Sequence, residues 1–186
     1  MAKIGFRFPY VAKLDRSTGV YSEGFKCSHG VSLNITPNYV EGSLYGDDQQ
    51  VEYEKNFKDA TVTLGVTTLP SKAESTMFGH TVEEATGKIT YKGNDEGNYV
   101  GVGWVTPEKD DGRKVFTANI LTTAKFSAGA EEYATKGENL EFKTPTIEGK
   151  AITNADDEWK IVIPFDTEAA AENFVKEYLN ISDISA

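Results

Sequence analysis

Alternation of apolar and polar side chains constrains the fold of this chain more than any other feature of its sequence. In the segment 31–36, Val, Leu and Ile alternate with Ser, Asn and Thr. A period of two places the apolar side chains on one face of a β-strand. The same period recurs in three further segments, 62–66, 116–126 and 159–165. Three shorter segments also have strand composition, 89–91, 99–105 and 139–143. The sequence therefore predicts about seven or eight mainly antiparallel strands.

Turn and helix signals separate and flank the predicted strands. The segment 110–113 reads Asp-Asp-Gly-Arg, which is typical of a tight hairpin because Gly adopts positive φ without strain. Helical spacing predicts a short helix over 71–79 and a longer one over 167–179, where one apolar stripe faces inward. Asp166 or Thr167 is suited to cap the longer helix. Helices are thus expected to be accessories to the sheet.

Two segments are predicted to lie outside the regular sheet. The N-terminal segment 1–26 alternates poorly and contains Pro9, so we expect an extended arm. The segment 37–55 joins two strands by an unusually long route, and we expect a long loop there. Its tyrosines favour either a partner-binding surface or a self-packed Ω-loop. The whole chain, 1–186, is expected to form one domain, an antiparallel β-sandwich or barrel with a flanking α-helix.

Charge and cysteine usage exclude several functions. The chain carries 29 acidic residues against 19 Lys and Arg, a formal net charge of −10, whereas a specific nucleic-acid binder gains affinity by neutralising phosphates. Solubility is the simplest reason for this acidity. The single cysteine, Cys27, is expected to be a half-buried structural residue. No apolar run approaches the roughly 20 residues of a membrane span, so no membrane partner and a cytoplasmic location are expected.

The sequence offers no recognisable catalytic constellation. His29 and His80 stand beside glycines, without metal-ligand spacing to a cysteine or to each other, and are expected to be ordinary surface or turn residues. Three Asp-Asp pairs lack the alternating oxygen pattern of a calcium loop and are expected to be solvated turns. The run Gly101-Val102-Gly103 lacks the third glycine of a dinucleotide fingerprint and indicates small residues on a strand. We therefore expect no enzyme activity, no metal and no cofactor.

Several longer segments carry a family resemblance. They are MAKIG at 1–5, SLNITPNY at 32–39, LYGDD at 44–48, FKDATVTLGV at 57–66 with Leu69-Pro70, YVGVG at 99–103 and TKGENLEFKTPTIEG at 135–149. These segments resemble the major tail proteins, or tail tube proteins, of long-tailed phages and prophages of Gram-positive bacteria. The resemblance extends over the chain except for the residues after Leu179.

The resemblance implies a structural virion protein with a fold of the phage tail tube type. Its subunits form hexameric rings that stack around a tape-measure protein, with tail terminator and tip proteins at the ends of the tube. DNA transits the lumen without specific binding. The protein would reside in the virion tail and, before assembly, in the host cytoplasm. The residues of the 37–55 segment expected to contact a neighbouring subunit or ring are Tyr39, Leu44, Tyr45, Asp47, Asp48 and Tyr53.

In a tube, the acidity of the chain would also help DNA to pass, because a neutral or negative lumen wall does not bind the phosphates and lets DNA slide. The polar strand faces supply candidates for this wall. They are Ser32, Asn34, Thr36, Thr61, Thr63, Thr117, Asn119, Thr123, Asn139 and Glu141. The same faces could instead contact solvent or another subunit.

A different class of function remains open. A carbohydrate-binding or cell-surface β-sandwich would use Tyr39, Tyr45 and Tyr53 as an aromatic platform. That alternative predicts a stable monomer with affinity for sugars, whereas a tube subunit predicts rings.

Overall fold

A computed structural model describes residues 2–129 and 144–182, and its regular structure is mainly antiparallel β-sheet. The strands are β1 (Ala2–Lys3), β2 (Arg7–Asp15), β3 (Val20–Lys26), β4 (Gly30–Gly46), β5 (Gln49–Val66), β6 (Thr81–Glu83), β7 (Lys88–Thr90), β8 (Tyr99–Asp110), β9 (Arg113–Ser127), β10 (Thr146–Ile152) and β11 (Lys160–Phe165). The helices are α1 (Ser71–Thr76) and α2 (Glu168–Tyr178). The predicted antiparallel β fold with a flanking helix is confirmed.

One large sheet runs in the order β3-β2-β8-β9-β10-β5-β4. The short strand β1 pairs with the end of β8, and β11 pairs with β9 beside the part that β10 leaves free. Strands β6 and β7 form a separate small ribbon. The strand β4, 17 residues long, pairs only with β5 among the described strands, so its other edge is open.

The main core lies on the inner face of this sheet. Val11 of β2 and Val102 of β8 belong to the same buried cluster as Val62 and Leu64 of β5, near the other end of the strand order. The sheet must therefore curl until its two ends face each other, as in a sandwich. Met77, directly after α1, is fully buried in this cluster.

A second core forms where α2 packs on the outer face. Val175 and Leu179 are fully buried there with Ile120 of β9. A side chain at Gly103 would place its Cβ 2.4 Å from Val175, and one at Gly101 would clash with Leu179 at 2.7 Å, so glycines are needed for this close approach. Small residues were predicted at these strand positions, and the packing explains them.

The helix predictions are confirmed. The segment predicted as a short helix contains α1, and α2 occupies nearly all of the segment 167–179. Thr167 is the N-cap, and its hydroxyl accepts a hydrogen bond from the backbone N–H of Ala170. The predicted tight turn between β8 and β9 is also present, with positive φ at Asp111 and Gly112.

The predicted N-terminal arm is wrong. Residues 7–26 form β2 and β3, and β2 is an interior strand of the main sheet. Tyr10, Val11 and Ala12 are consecutive and all buried, because the inner core covers one face of β2 and α2 covers the other. Burial on both faces removes the alternation by which a strand is recognised.

The predicted long loop over 37–55 is also wrong, because these residues continue β4 and β5 as one long hairpin. Both faces of this hairpin are exposed over residues 39–56, so its apolar residues do not have to alternate with polar ones. Register shifts at Asn38/Tyr39 and Leu44/Tyr45 disturb the period further. The strand predicted at 139–143 lies outside the described residues.

Candidate assembly surface

The outer part of the β4–β5 hairpin, residues 39–56, is named the distal hairpin. Strand β10 pairs with β5 only from Ala60 to Gly65, so among the described strands β4 and β5 pair only with each other in the distal hairpin. The pairing continues to Gly46 and Gln49, which flank a two-residue turn. Asp47 and Asp48 form this turn with φ of 49° and 60°, the conformation that matches the twist of a hairpin.

The distal hairpin exposes many large apolar side chains. Their exposed fractions are 47% for Tyr39, 57% for Val40, 60% for Leu44, 67% for Tyr45, 65% for Val51 and 52% for Tyr53. More than half of the large apolar side chains exposed in the described part of the chain lie here. Concentrated apolar exposure of this kind is typical of interaction surfaces, so the distal hairpin is a candidate for one.

One face of the distal hairpin carries a ladder of aromatic and charged pairs. Tyr39 lies opposite Phe57, Glu41 opposite Lys55, and Ser43 opposite Tyr53, so alternate pairs share this face. The Lys55 ammonium is 2.6 Å from Glu41 Oε1 and 4.7 Å from the centre of the Tyr39 ring. The hydrogen bond from Lys55 lowers the pKa of Glu41. The ladder is solvent-exposed, so these charges order side chains more than they stabilise the fold.

The opposite face of the distal hairpin is apolar and acidic. Val40 and Leu44 lie on it, and Leu44 pairs with Glu52 while Gly42 pairs with Glu54. The two faces therefore offer different chemistry to a partner.

Contacts within the hairpin and contacts with the rest of the subunit both hold its base. The Asn38 side-chain amide donates to Asp59 Oδ1 at 2.6 Å and to Thr61 Oγ1 at 3.1 Å. The hydrogen bond from Asn38, and then the charge of Lys150, lower the pKa of Asp59. On the inner side, Phe57 stacks on Trp159 with ring centres 4.9 Å apart. These contacts fix the direction in which the distal hairpin leaves the sheet.

Part of the predicted polar wall does form a single surface. Ser32, Asn34, Thr36 and Thr61 are exposed and Thr63 is half-buried. Asn34 pairs with Thr63 across the two strands, and Thr36 pairs with Thr61. On the other side of β5, Glu148 and Lys150 of β10 extend this polar face.

Three other wall candidates were predicted wrongly. Thr117, Asn119 and Thr123 are only 3%, 4% and 1% exposed, because β9 is covered on both faces. The Asn119 amide is satisfied internally, donating to Thr106 Oγ1 and to the Thr117 carbonyl oxygen. The candidates Asn139 and Glu141 lie outside the described residues.

His80 was expected to be an ordinary surface or turn residue, but its side chain is only 10% exposed and has acidic neighbours. Its Nδ1 is 2.9 Å from Asp95 Oδ2, and its Nε2 is 3.8 Å from Glu74 Oε2. The hydrogen bond with His80 is the main cause that lowers the pKa of Asp95. The cluster joins α1 to the loop before β8. No sequence signal indicated this cluster, because Asp95 lies 15 residues after His80.

His29 is exposed, as expected. Cys27 is fully buried, more deeply than predicted, and burial raises the pKa of its thiol to about 12. A neutral, buried thiol behaves as a small apolar side chain.

Within residues 2–129 and 144–182, no three His, Cys, Asp or Glu side chains are grouped so that they could hold a metal ion. No helix in the same ranges has the length and apolar character needed to span a membrane. No protein-family model matches the chain, and no curated protein matches it.

Proposed function

We propose that this chain is the major tube subunit of a long phage or prophage tail. Copies assemble head to tail into hexameric rings, the rings stack on a tape-measure protein between terminator and tip proteins, and DNA passes through the lumen. The observation that carries the proposal is the distal hairpin, whose exposed apolar side chains extend beyond the subunit core.

The distal hairpin is better explained by assembly than by an isolated subunit. Asp47 at its turn lies ten positions after Pro37 at its base, which corresponds to about 33 Å of strand. A hairpin of two strands is only marginally stable alone in water, and its apolar surface favours burial against a partner. The open edge of β4 is a second site where another chain can pair, and closure of a ring removes such edges.

Three of the segments that resemble tail proteins lie on or beside this surface. The segments 32–39 and 57–66 form the base of the hairpin and the adjoining strands, and 44–48 forms its tip. A resemblance that includes exposed elements such as the hairpin tip, and not only core strands, supports a shared mode of assembly.

The polar face of β4, β5 and β10 is the proposed lumen wall. Its lysine charges are largely compensated, since Lys150 is 3.4 Å from Asp59 and the neighbouring Lys125 is 2.8 Å from Glu96. A compensated wall in a chain of net charge −10 offers few free cations to passing phosphates. DNA would therefore slide without being retained.

Shortening the hairpin tests the proposal. Joining Val40 to Asn56 through Asn-Gly retains the Tyr39–Phe57 pair and closes the remaining strands with a favoured two-residue turn. Sedimentation velocity over a concentration series is expected to show large assemblies for the wild-type protein and a folded monomer for the shortened variant. Normal assembly by the shortened variant would contradict the proposal.

A pair of matched substitutions controls for general loss of apolar surface. Val40→Ser with Val51→Ser removes two exposed valines from the distal hairpin, and Val20→Ser with Val162→Ser removes two of similar exposure elsewhere. Only the first pair is expected to weaken assembly. A monomeric wild-type protein that binds glycans would instead favour a carbohydrate-binding module.

A further inference from the structure

We propose that a cationic, aromatic groove at the base of the hairpin binds the acidic hairpin tip of a second copy of this chain. This inference rests on the proposed function and identifies the acceptor for the hairpin. The groove, here called the base groove, encloses about 360 Å³. Its lining includes Lys3, Phe6, Trp104, Trp159 and Lys160.

Aromatic side chains form the apolar part of the base groove. Phe6 meets Trp104 edge to face, with ring centres 6.4 Å apart. Trp159 is half-buried and is held from behind by its stacking on Phe57. Leu33 of β4 lines the groove as well. Rings held in this way present a preformed surface, which lowers the entropic cost of binding.

Two lysines give the base groove its charge. The Lys160 ammonium lies 5.8 Å from the centre of the Trp104 ring. Burial and then repulsion from Lys3 lower the pKa of Lys160, while Glu108 acts in the opposite direction. Among the described residues, no carboxylate oxygen lies within 4.0 Å of either lysine nitrogen. An incoming carboxylate would therefore relieve the repulsion between Lys3 and Lys160, which Glu108 offsets only in part.

The hairpin tip has the complementary chemistry. Asp47 and Asp48 occupy the turn, and within the described part of the chain neither forms an ion pair. Tyr45 and Leu44 beside them are 67% and 60% exposed. Two carboxylates next to an exposed aromatic ring match two ammonium groups next to indole rings in both charge and polarity.

The tip that fills the base groove must come from another chain. Pro37, at the base of the hairpin, lines the groove, and strand pairing that continues through two register shifts holds the tip about 33 Å of strand away from it. The donor and acceptor surfaces are different parts of the subunit, so the contact is heterologous. Such contacts propagate from copy to copy and give rings or filaments.

Charge reversal on each side tests the pairing. Asp47→Asn with Asp48→Gly keeps a favoured turn and removes the tip charges, whereas Asp47→Lys with Asp48→Gly reverses one of them. Lys3→Glu with Lys160→Glu reverses the groove. Each variant alone is expected to raise the protein concentration required for assembly about tenfold or more, measured by light scattering and sedimentation.

The combined variant gives the decisive comparison. A chain carrying both the reversed tip and the reversed groove is expected to assemble at a concentration close to that of the wild-type protein. Failure of the combined variant to recover, or unchanged assembly of the single variants, would overturn the inference. Lys3→Glu alone provides a milder groove variant, since Lys3 is exposed and its replacement leaves the core intact. Urea midpoints confirm folding of each variant.

The result also separates this inference from the proposed function. If the wild-type protein assembles and the groove variants assemble equally well, the hairpin uses another acceptor and only the inference fails. If the wild-type protein remains monomeric at every concentration, the proposed function fails with it.

Discussion

Replacing Ile120 by Ala tests the second core, where α2 packs on the outer face of the sheet. Ile120 is fully buried with Val175 and Leu179 of the helix region. The substitution removes three carbon atoms, worth about 2.4 kcal/mol at roughly 0.8 kcal/mol for each buried methylene. The cavity that remains adds to this, so we expect a loss of roughly 3–4 kcal/mol in the free energy of unfolding.

Urea denaturation followed by tryptophan fluorescence measures this loss. Val162→Ala is the matched control, because Val162 lies on the neighbouring strand β11 and is 51% exposed. The control is expected to lose about 0.5 kcal/mol or less. A loss below about 1 kcal/mol for Ile120→Ala would refute the assignment of this face to the core.

Three further predictions concern the helix, the buried histidine and the wall. Gly103→Ala forces a Cβ to within 2.4 Å of Val175, so it is expected to destabilise the subunit and expose α2 to faster hydrogen exchange. Because the pKa of Asp95 is lowered on folding, its carboxylate stabilises the folded state above pH 3.8, the ordinary pKa of an aspartate, and this stabilisation is lost as the pH falls further. Asp95→Asn should therefore reduce the dependence of the free energy of unfolding on pH in the acid range. Asn34→Lys with Thr61→Lys adds cations to the exposed polar face and should slow DNA ejection from reconstituted virions, with the rate recovering at high salt. Equal ejection rates for the wild-type protein and the variant would argue that this face does not line the lumen.

Local chemistry made part of the fold predictable. The apolar stripe of α2, its cap at Thr167 and the turn at Asp111-Gly112 depend on residues close in sequence, and each prediction was confirmed. Alternation likewise identified the strands that have one face in the core, such as β5 near Val62 and Leu64.

The elements that were missed depend on tertiary surroundings. Residues 10–12 lack alternation because they are buried on both faces, and the distal hairpin lacks it because both faces are exposed. One signal for the hairpin was available, since Gly46-Asp47-Asp48 stands between segments rich in strand-forming residues. Asn119 was misplaced because internal hydrogen bonds satisfy its side-chain amide inside the core. Thr117 was misplaced because β9 is covered on both faces, although its hydroxyl has no hydrogen-bond partner among the described residues.

The candidate site was predictable in position but not in form. The sequence indicated that Tyr39, Tyr45 and Tyr53 lie in a surface segment suited to a partner, and the structure exposes all three. The base groove could not be predicted, because Lys3, Trp104 and Lys160 come together only when three distant strands meet.

Electron microscopy of the concentrated wild-type protein shows directly whether the chain builds a tube. We expect rings with six-fold end-on views, or hollow tubes built from such rings, and their loss when the distal hairpin is shortened. Dispersed single subunits at the highest attainable concentration, or identical assemblies with and without the distal hairpin, would mean that the chain is not a tube subunit assembled through this hairpin.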